Sequence, residues 1–178
     1  MDESVMNRME DGTEKSIEKS TEKSTAEEVS EEIGCENQDS FLQNVKEQFH
    51  LQMPDPLSYS GLALAFVGDG AYELVIRTLI AGRGNMQVKK MHRMCSELVK
   101  APAQAAMVHA IFDRLTKEEQ AVCKRGHNTK PHTKAKNADM EEYLWATGLE
   151  ALCGWLYLTG QQQRLMEVIH MGMDALES

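Results

Sequence analysis

Much that usually marks a functional site is missing from this chain of 178 residues. The four cysteines, Cys35, Cys95, Cys123 and Cys153, form no CxxC or other close pair. That spacing gives no ground for a zinc site or a disulfide framework, so reduced thiols are expected. There is no P-loop, no Rossmann glycine fingerprint and no Ser–His–Asp arrangement, which sets aside nucleotide cradles and triad hydrolysis. No charge-free apolar run reaches the length of a bilayer span, and the acidic N-terminus does not read as a signal peptide. A soluble, cytoplasmic protein without a membrane partner is the expectation. No window alternates apolar and polar residues as a half-buried strand would.

Aromatic residues are absent until Phe41. Residues 1–49 hold 14 Asp/Glu against 5 Lys/Arg, whereas residues 50–178 hold 14 of each. The acidic character therefore belongs to the N-terminal segment and says nothing against nucleic-acid binding by the rest. EKS recurs at 14–16, 18–20 and 22–24. High charge with few apolar groups cannot offset the entropy of ordering, so residues 1–40 are expected to be a disordered, low-complexity acidic tail. Residues 41–178 are expected to form one folded domain.

Within that domain, helix follows helix. A short helix is expected over 41–49, and Pro54 and Pro56 then punctuate the chain. Ser58 is the expected N-cap of a long apolar helix that reaches Ala81 and ends at Gly82 and Gly84. Residues 87–99 are amphipathic, and 101–115 follow with Pro102 in a tolerated first turn. Thr116 and Glu119 have capping-box spacing ahead of a short helix. Residues 126–138, GHNTKPHTKAKNA, read as a loop. A long helix from 139 to 158, a break at Gly160 and a last helix over 161–176 complete an all-α fold.

Two acids stand out. Asp69 is the only charged residue in LSYSGLALAFVGDGAY (57–72), and Glu150 is the only one in YLWATGLEALCGWLYL (143–158). Both are expected to be buried, and a buried carboxylate is normally paired, hydrogen-bonded or metal-bound. Asp69 falls on the stripe Leu62, Phe66, Asp69, Glu73, Ile76, which follows the helical period. The competing reading for either acid is an internal ion pair, for Asp69 with Arg77 or another cation. Gly68 and Gly70 flank Asp69, and two glycines inside a helix cost about 1 kcal/mol each. Something is therefore expected to approach that backbone closely. Two acids from separate helices can share one cation, the ligand set of a Mg²⁺-dependent hydrolase. Thr147, one turn before Glu150, is placed to orient a water or the carboxylate.

Residues 120–138 contain no acid and carry Lys124, Arg125, His127, Lys130, His132, Lys134 and Lys136. Such a segment suits phosphate contacts, against the plainer reading of a solvated basic loop. Arg83, Lys89, Lys90, His92 and Arg93 form a second basic group, interleaved with apolar residues, that reads as the polar face of a helix; Arg83, Lys89 and Lys90 also suit an RNA groove. His50, His109 and His170 are isolated and read as surface or packing residues.

LAFVGDGAYE (64–73) resembles the ribonuclease III signature helix, and TGLEALCGWLYL (147–158) resembles the second acidic helix of that family. With KRGHNTKPHTKAKNAD (124–139), the segment 50–176 resembles the Mini-ribonuclease III subfamily, which has the catalytic domain without a double-stranded-RNA-binding domain. The signature aspartate falls on Asp69 and the second-motif glutamate on Glu150. Two further acidic positions of the wider family are Ala65 and Thr147 here. The resemblance implies a ribonuclease III-like helical domain and a homodimer with the signature helix near its interface. It implies a metal-dependent endoribonuclease with Asp69 and Glu150 as catalytic, Mg²⁺-holding residues. The implied products carry 5′-phosphate and 3′-hydroxyl ends with short 3′ overhangs. The implied task is maturation of the precursor 23S ribosomal RNA stem, with ribosomal proteins as candidate helpers in recognition. The alternative is a ribonuclease III-like scaffold that binds RNA without cutting it. A helical protein-interaction module would leave the acid-free basic segment unexplained.

Overall fold

Among the described residues, the punctuation of the sequence becomes the ends of seven α-helices. The computed structural model describes residues 41–129 and 140–177. Its α-helices are α1 (Phe41–Gln48), α2 (Gly61–Ala81), α3 (Val88–Val99), α4 (Ala101–Ile111), α5 (Lys117–His127), α6 (Met140–Leu158) and α7 (Gln162–Glu177). No strand occurs among the described residues. The expected tail, residues 1–40, and the basic residues Lys130, His132, Lys134 and Lys136 lie outside them.

Local chemistry sets these boundaries. The cap of α2 is Ser60, not Ser58: its hydroxyl accepts the Ala63 N–H at 3.1 Å. Ser58 is used differently, at the end of a 3₁₀ turn (Pro56–Ser58) that Asp55 caps through the Leu57 N–H. Thr116 and Glu119 form the expected capping box, with both reciprocal bonds present. Helix α4 stops at Ile111, four residues short of expectation, and a 3₁₀ turn (Phe112–Arg114) follows. Gly160, at φ +75°, makes the left-handed turn between α6 and α7.

Helix α6 is the centre of the fold. Every residue from Ala146 to Leu156 except Glu150 is buried, so the helix is covered on all sides. Helices α2, α4 and α5 pack on it, α7 packs on α4 and α6, and α3 packs on α2. The α2–α6 crossing is the closest. A Cβ on Gly68 would lie 1.7 Å from the Glu150 carbonyl oxygen, and one on Gly154 would lie 2.0 Å from the Leu64 carbonyl oxygen. The two backbones therefore touch. Gly126, assigned to a loop by its glycine, lies inside α5, because a Cβ there would meet the Thr147 carbonyl oxygen at 2.6 Å.

The buried face of α2 is Gly61, Leu64, Ala65, Gly68, Tyr72, Ile76 and Ile80. This corrects the expected stripe through Asp69. Of that stripe only Ile76 is fully buried, while Phe66 is 84% exposed.

Candidate active site

The glycine crossing positions both acids. Gly68 rests on the main chain of Glu150, and Asp69 is the next residue along α2. The two carboxylates therefore come from opposite sides of one helix contact. They differ in environment: Asp69 is exposed and Glu150 partly buried. The expectation that Asp69 is buried is overturned. Its helix segment is apolar because the neighbouring outer face is apolar and uncovered, not because the carboxylate is enclosed.

Burial pushes the Glu150 carboxyl up to about 7, and the nearby negative charge of Asp69 adds to that rise. The Gln104 amide, facing the carboxyl from α4, opposes it. Among the described residues, neither acid forms an ion pair with Lys, Arg or His. Arg77, the expected partner of Asp69, pairs with Glu73 at 2.5 Å one turn away. Among the described residues, the internal ion-pair reading therefore finds no partner for Asp69.

Cys153, Tyr72, Thr147 and Ala65, on the same two helices, are neutral. Burial and then the charges of nearby groups, including Glu150, raise the pKa of Cys153, so its thiol stays protonated. Tyr72, raised chiefly by burial, donates its hydroxyl to the Leu98 carbonyl at 2.9 Å. Thr147 is buried and donates to the Tyr143 carbonyl at 2.9 Å, so its hydroxyl is engaged within its own helix. It does not orient Glu150 as the sequence suggested. Ala65 is buried in the core.

Gln104 is the polar residue that sequence reasoning missed. It lies on α4, is 1% exposed, and its Nε2 completes no well-formed hydrogen bond despite facing Glu150. The signal was available: Gln104 is the only polar side chain in APAQAAMV (101–108). That is the same isolation that singles out Asp69 and Glu150.

The donor set suits a hard cation. Mg²⁺ uses one or two carboxylates and keeps several waters. Two neighbouring acids without an ion-pair partner among the described residues match that habit. Among the described residues no cluster of three or more His, Cys, Asp and Glu side chains forms, so a closed structural zinc site is not built here.

The basic residues divide. Lys124, Arg125 and His127 share the last turn of α5, and Arg83, Lys89 and Lys90 lie around the α2–α3 connection. Lys124 is exposed, with Nζ 5.4 Å from the centre of the Phe112 ring. Arg125 turns inward and donates through Nη1 to the Leu57 carbonyl at 3.0 Å, tying α5 to the segment before α2. His127 packs against Trp145 at 4.4 Å, and Trp145 also carries His109 at 4.7 Å. His109 is thus a packing residue, as expected.

A ribonuclease III domain model matches residues 62–161, the span that holds both acids. The chain belongs to the ribonuclease III family. Within that family it is similar to Mini-ribonuclease 3 of Symbiobacterium thermophilum, 42% identical over 71% of this chain and 98% of the relative. Mini-ribonuclease 3 of Enterococcus faecalis is 46% identical over 66% of this chain and 91% of the relative. A crystal structure of a Fusobacterium nucleatum protein superposes with a TM-score of 0.62 at 29% identity, over 66% of this chain and 97% of that one. The helical ribonuclease III-like fold expected from the sequence is thereby shown.

Proposed function

We propose that this endoribonuclease hydrolyses double-stranded RNA at a Mg²⁺ site held by Asp69 and Glu150, and that its substrate is the stem of precursor 23S ribosomal RNA. The observation that carries the reading is the approach of two acids at the α2–α6 crossing, neither of them ion-paired among the described residues. When bound, Mg²⁺ polarises the scissile phosphate and lowers the pKa of a water. Asp69 faces solvent and is the acid open to the RNA. Glu150 completes the pair from the more enclosed side and must be deprotonated to do so. The resemblance to Mini-ribonuclease III supplies the precursor 23S stem, the cytoplasmic setting and the candidate help of ribosomal proteins.

RNA is held by shape and charge, since A-form duplexes offer phosphates and 2′-hydroxyls rather than readable major-groove edges. The proposed contacts are Lys124, His127, Lys130, His132, Lys134 and Lys136, with Arg83, Lys89 and Lys90. Arg125 contributes by fixing the base of that segment. Two copies would present two sites to the two strands. Phe66, Gly70 and Leu74 support this arrangement as an uncovered stripe at i, i+4, i+8 on α2.

The test is incubation of purified protein with long duplex RNA and with the precursor stem, in Mg²⁺ and in EDTA. Asp69→Asn keeps the size and removes the charge. It is expected to lower cleavage by more than about a hundredfold, or about 3 kcal/mol of transition-state stabilisation, with folding intact. Duplex binding without cutting in either Mg²⁺ or Mn²⁺ would overturn the reading and favour the RNA-binding scaffold, towards which Ala65 and Thr147 point.

A further inference from the structure

Gln104 is a buried side chain in a stretch where nothing else is polar. Helix α4 begins just after the extended Lys100 and packs along α6, which carries the Gln104 amide toward Glu150. The group is 1% exposed and its Nε2 lacks a well-formed partner. A buried donor left in that condition is destabilising. Leucine or methionine would occupy similar volume without that cost. Such a group calls for a functional account, and the titratable group facing it is Glu150.

We infer that Gln104 is a positioning residue: its amide donates to one oxygen of Glu150 and turns the other toward Asp69, in the orientation in which both acids hold one divalent cation. This rests on the reading of Asp69 and Glu150 as the metal-holding pair. The terminal torsion of a glutamate is soft, so a small rotation of Glu150 brings an oxygen into line with Nε2. Groups that hydrogen-bond to a ligating carboxylate fix its orientation. Thr147, one turn before Glu150, is committed to the Tyr143 carbonyl. Support for Glu150 therefore comes from a different helix, α4, rather than from its own preceding turn.

The experiment uses the full chain without RNA and Mn²⁺ as the probe, with affinity read by calorimetry and by Mn²⁺ paramagnetic resonance. Wild type, Asp69→Asn, Gln104→Leu and Gln104→Met are compared, the last keeping the unbranched shape in case leucine does not pack. Both Gln104 variants are expected to fold and to melt in EDTA close to the wild-type temperature, since leucine and methionine occupy similar volume. Their Mn²⁺ dissociation constants are expected to rise by about ten- to a hundredfold. Duplex RNA affinity in EDTA stays unchanged, and kcat at subsaturating metal falls while KM for RNA does not.

Equal Mn²⁺ binding by wild type and Asp69→Asn would sink the two-acid reading itself. Weak binding by Asp69→Asn with wild-type binding by Gln104→Met would leave the pair standing and overturn the role of Gln104. A loss of Mn²⁺ affinity that tracks a lowered melting temperature in both Gln104 variants would also overturn it, reducing the residue to packing.

Discussion

At the scale of the residue, Glu150 sets a pH dependence of stability. Its carboxyl is raised from 4.5 to about 7 in the folded protein, so the folded state holds a proton that the unfolded chain has released. The associated stability is complete below the unfolded value and is lost as pH rises through the folded one. Glu119 acts in the opposite direction. It is 3% exposed, and Arg164 grips it through Nε at 2.7 Å and Nη2 at 3.0 Å, which depresses its pKa. That contribution is present above the unfolded carboxylate range and is lost as pH falls through the lowered value. Metal-free protein is therefore expected to be most stable near pH 4.5 and to lose stability as pH rises through about 7. Thermal melts in EDTA check this: the decline from about pH 5 to 8 should flatten in Glu150→Gln, and Mg²⁺ should restore stability on the alkaline side for wild type only. An unchanged alkaline limb in Glu150→Gln would contradict the assignment. Both acids were legible in the sequence because a lone charge in an apolar window is visible without coordinates. The exposure of Asp69 was not, because periodicity reports which residues share a face and is silent about what covers that face.

At the scale of the element, the α2–α6 contact has no room for a side chain. Gly154→Ala would put a methyl group 2.0 Å from the Leu64 carbonyl oxygen, so the helices must separate. The expected cost is about 1–3 kcal/mol by urea denaturation, with cleavage falling further than the stability loss explains. Gly70 is the contrast, since a Cβ there meets nothing within 4 Å. The sequence showed that glycines beside Asp69 needed a reason, yet gave no means of dividing that reason between Gly68 and Gly70. Helix ends were read where chemistry is reciprocal, as at Thr116 and Glu119, and misread where two serines two residues apart both fit the cap. Gly126 was taken for a loop because glycine weakens helices in isolation; packing against α6 overrides that preference.

At the scale of the whole molecule, the outer face of α2 is the anomaly. Phe66 and Leu74 are 84% and 59% exposed, and a groove of about 340 Å³ beside them is lined by Phe41, Val67, Leu74, Tyr157 and Met166. Contiguous apolar surface of this kind marks an interaction site. The proposed occupant is a second copy of the chain. Phe66→Ser with Leu74→Glu is expected to convert a dimer to a monomer in analytical ultracentrifugation, with little change in the helical circular dichroism spectrum. A monomeric wild type at micromolar concentration would refute the homodimer. Among the described residues, no helix is long and apolar enough to cross a membrane. The fold class was readable from helical periodicity throughout. The outward-facing apolar stripe was not, because apolar residues in a sequence look alike whether they face a core or a partner.

The touching backbones of α2 and α6 have a bearing on redesign. Main-chain atoms, not interdigitated side chains, fix how far apart the two acids stand. The surrounding leucines, isoleucines and valines are then open to wholesale exchange, provided Gly68 and Gly154 are kept. A library that varies the core while holding those two positions would retain the spacing of its acids. A library that spares the core but admits alanine at either glycine would lose it.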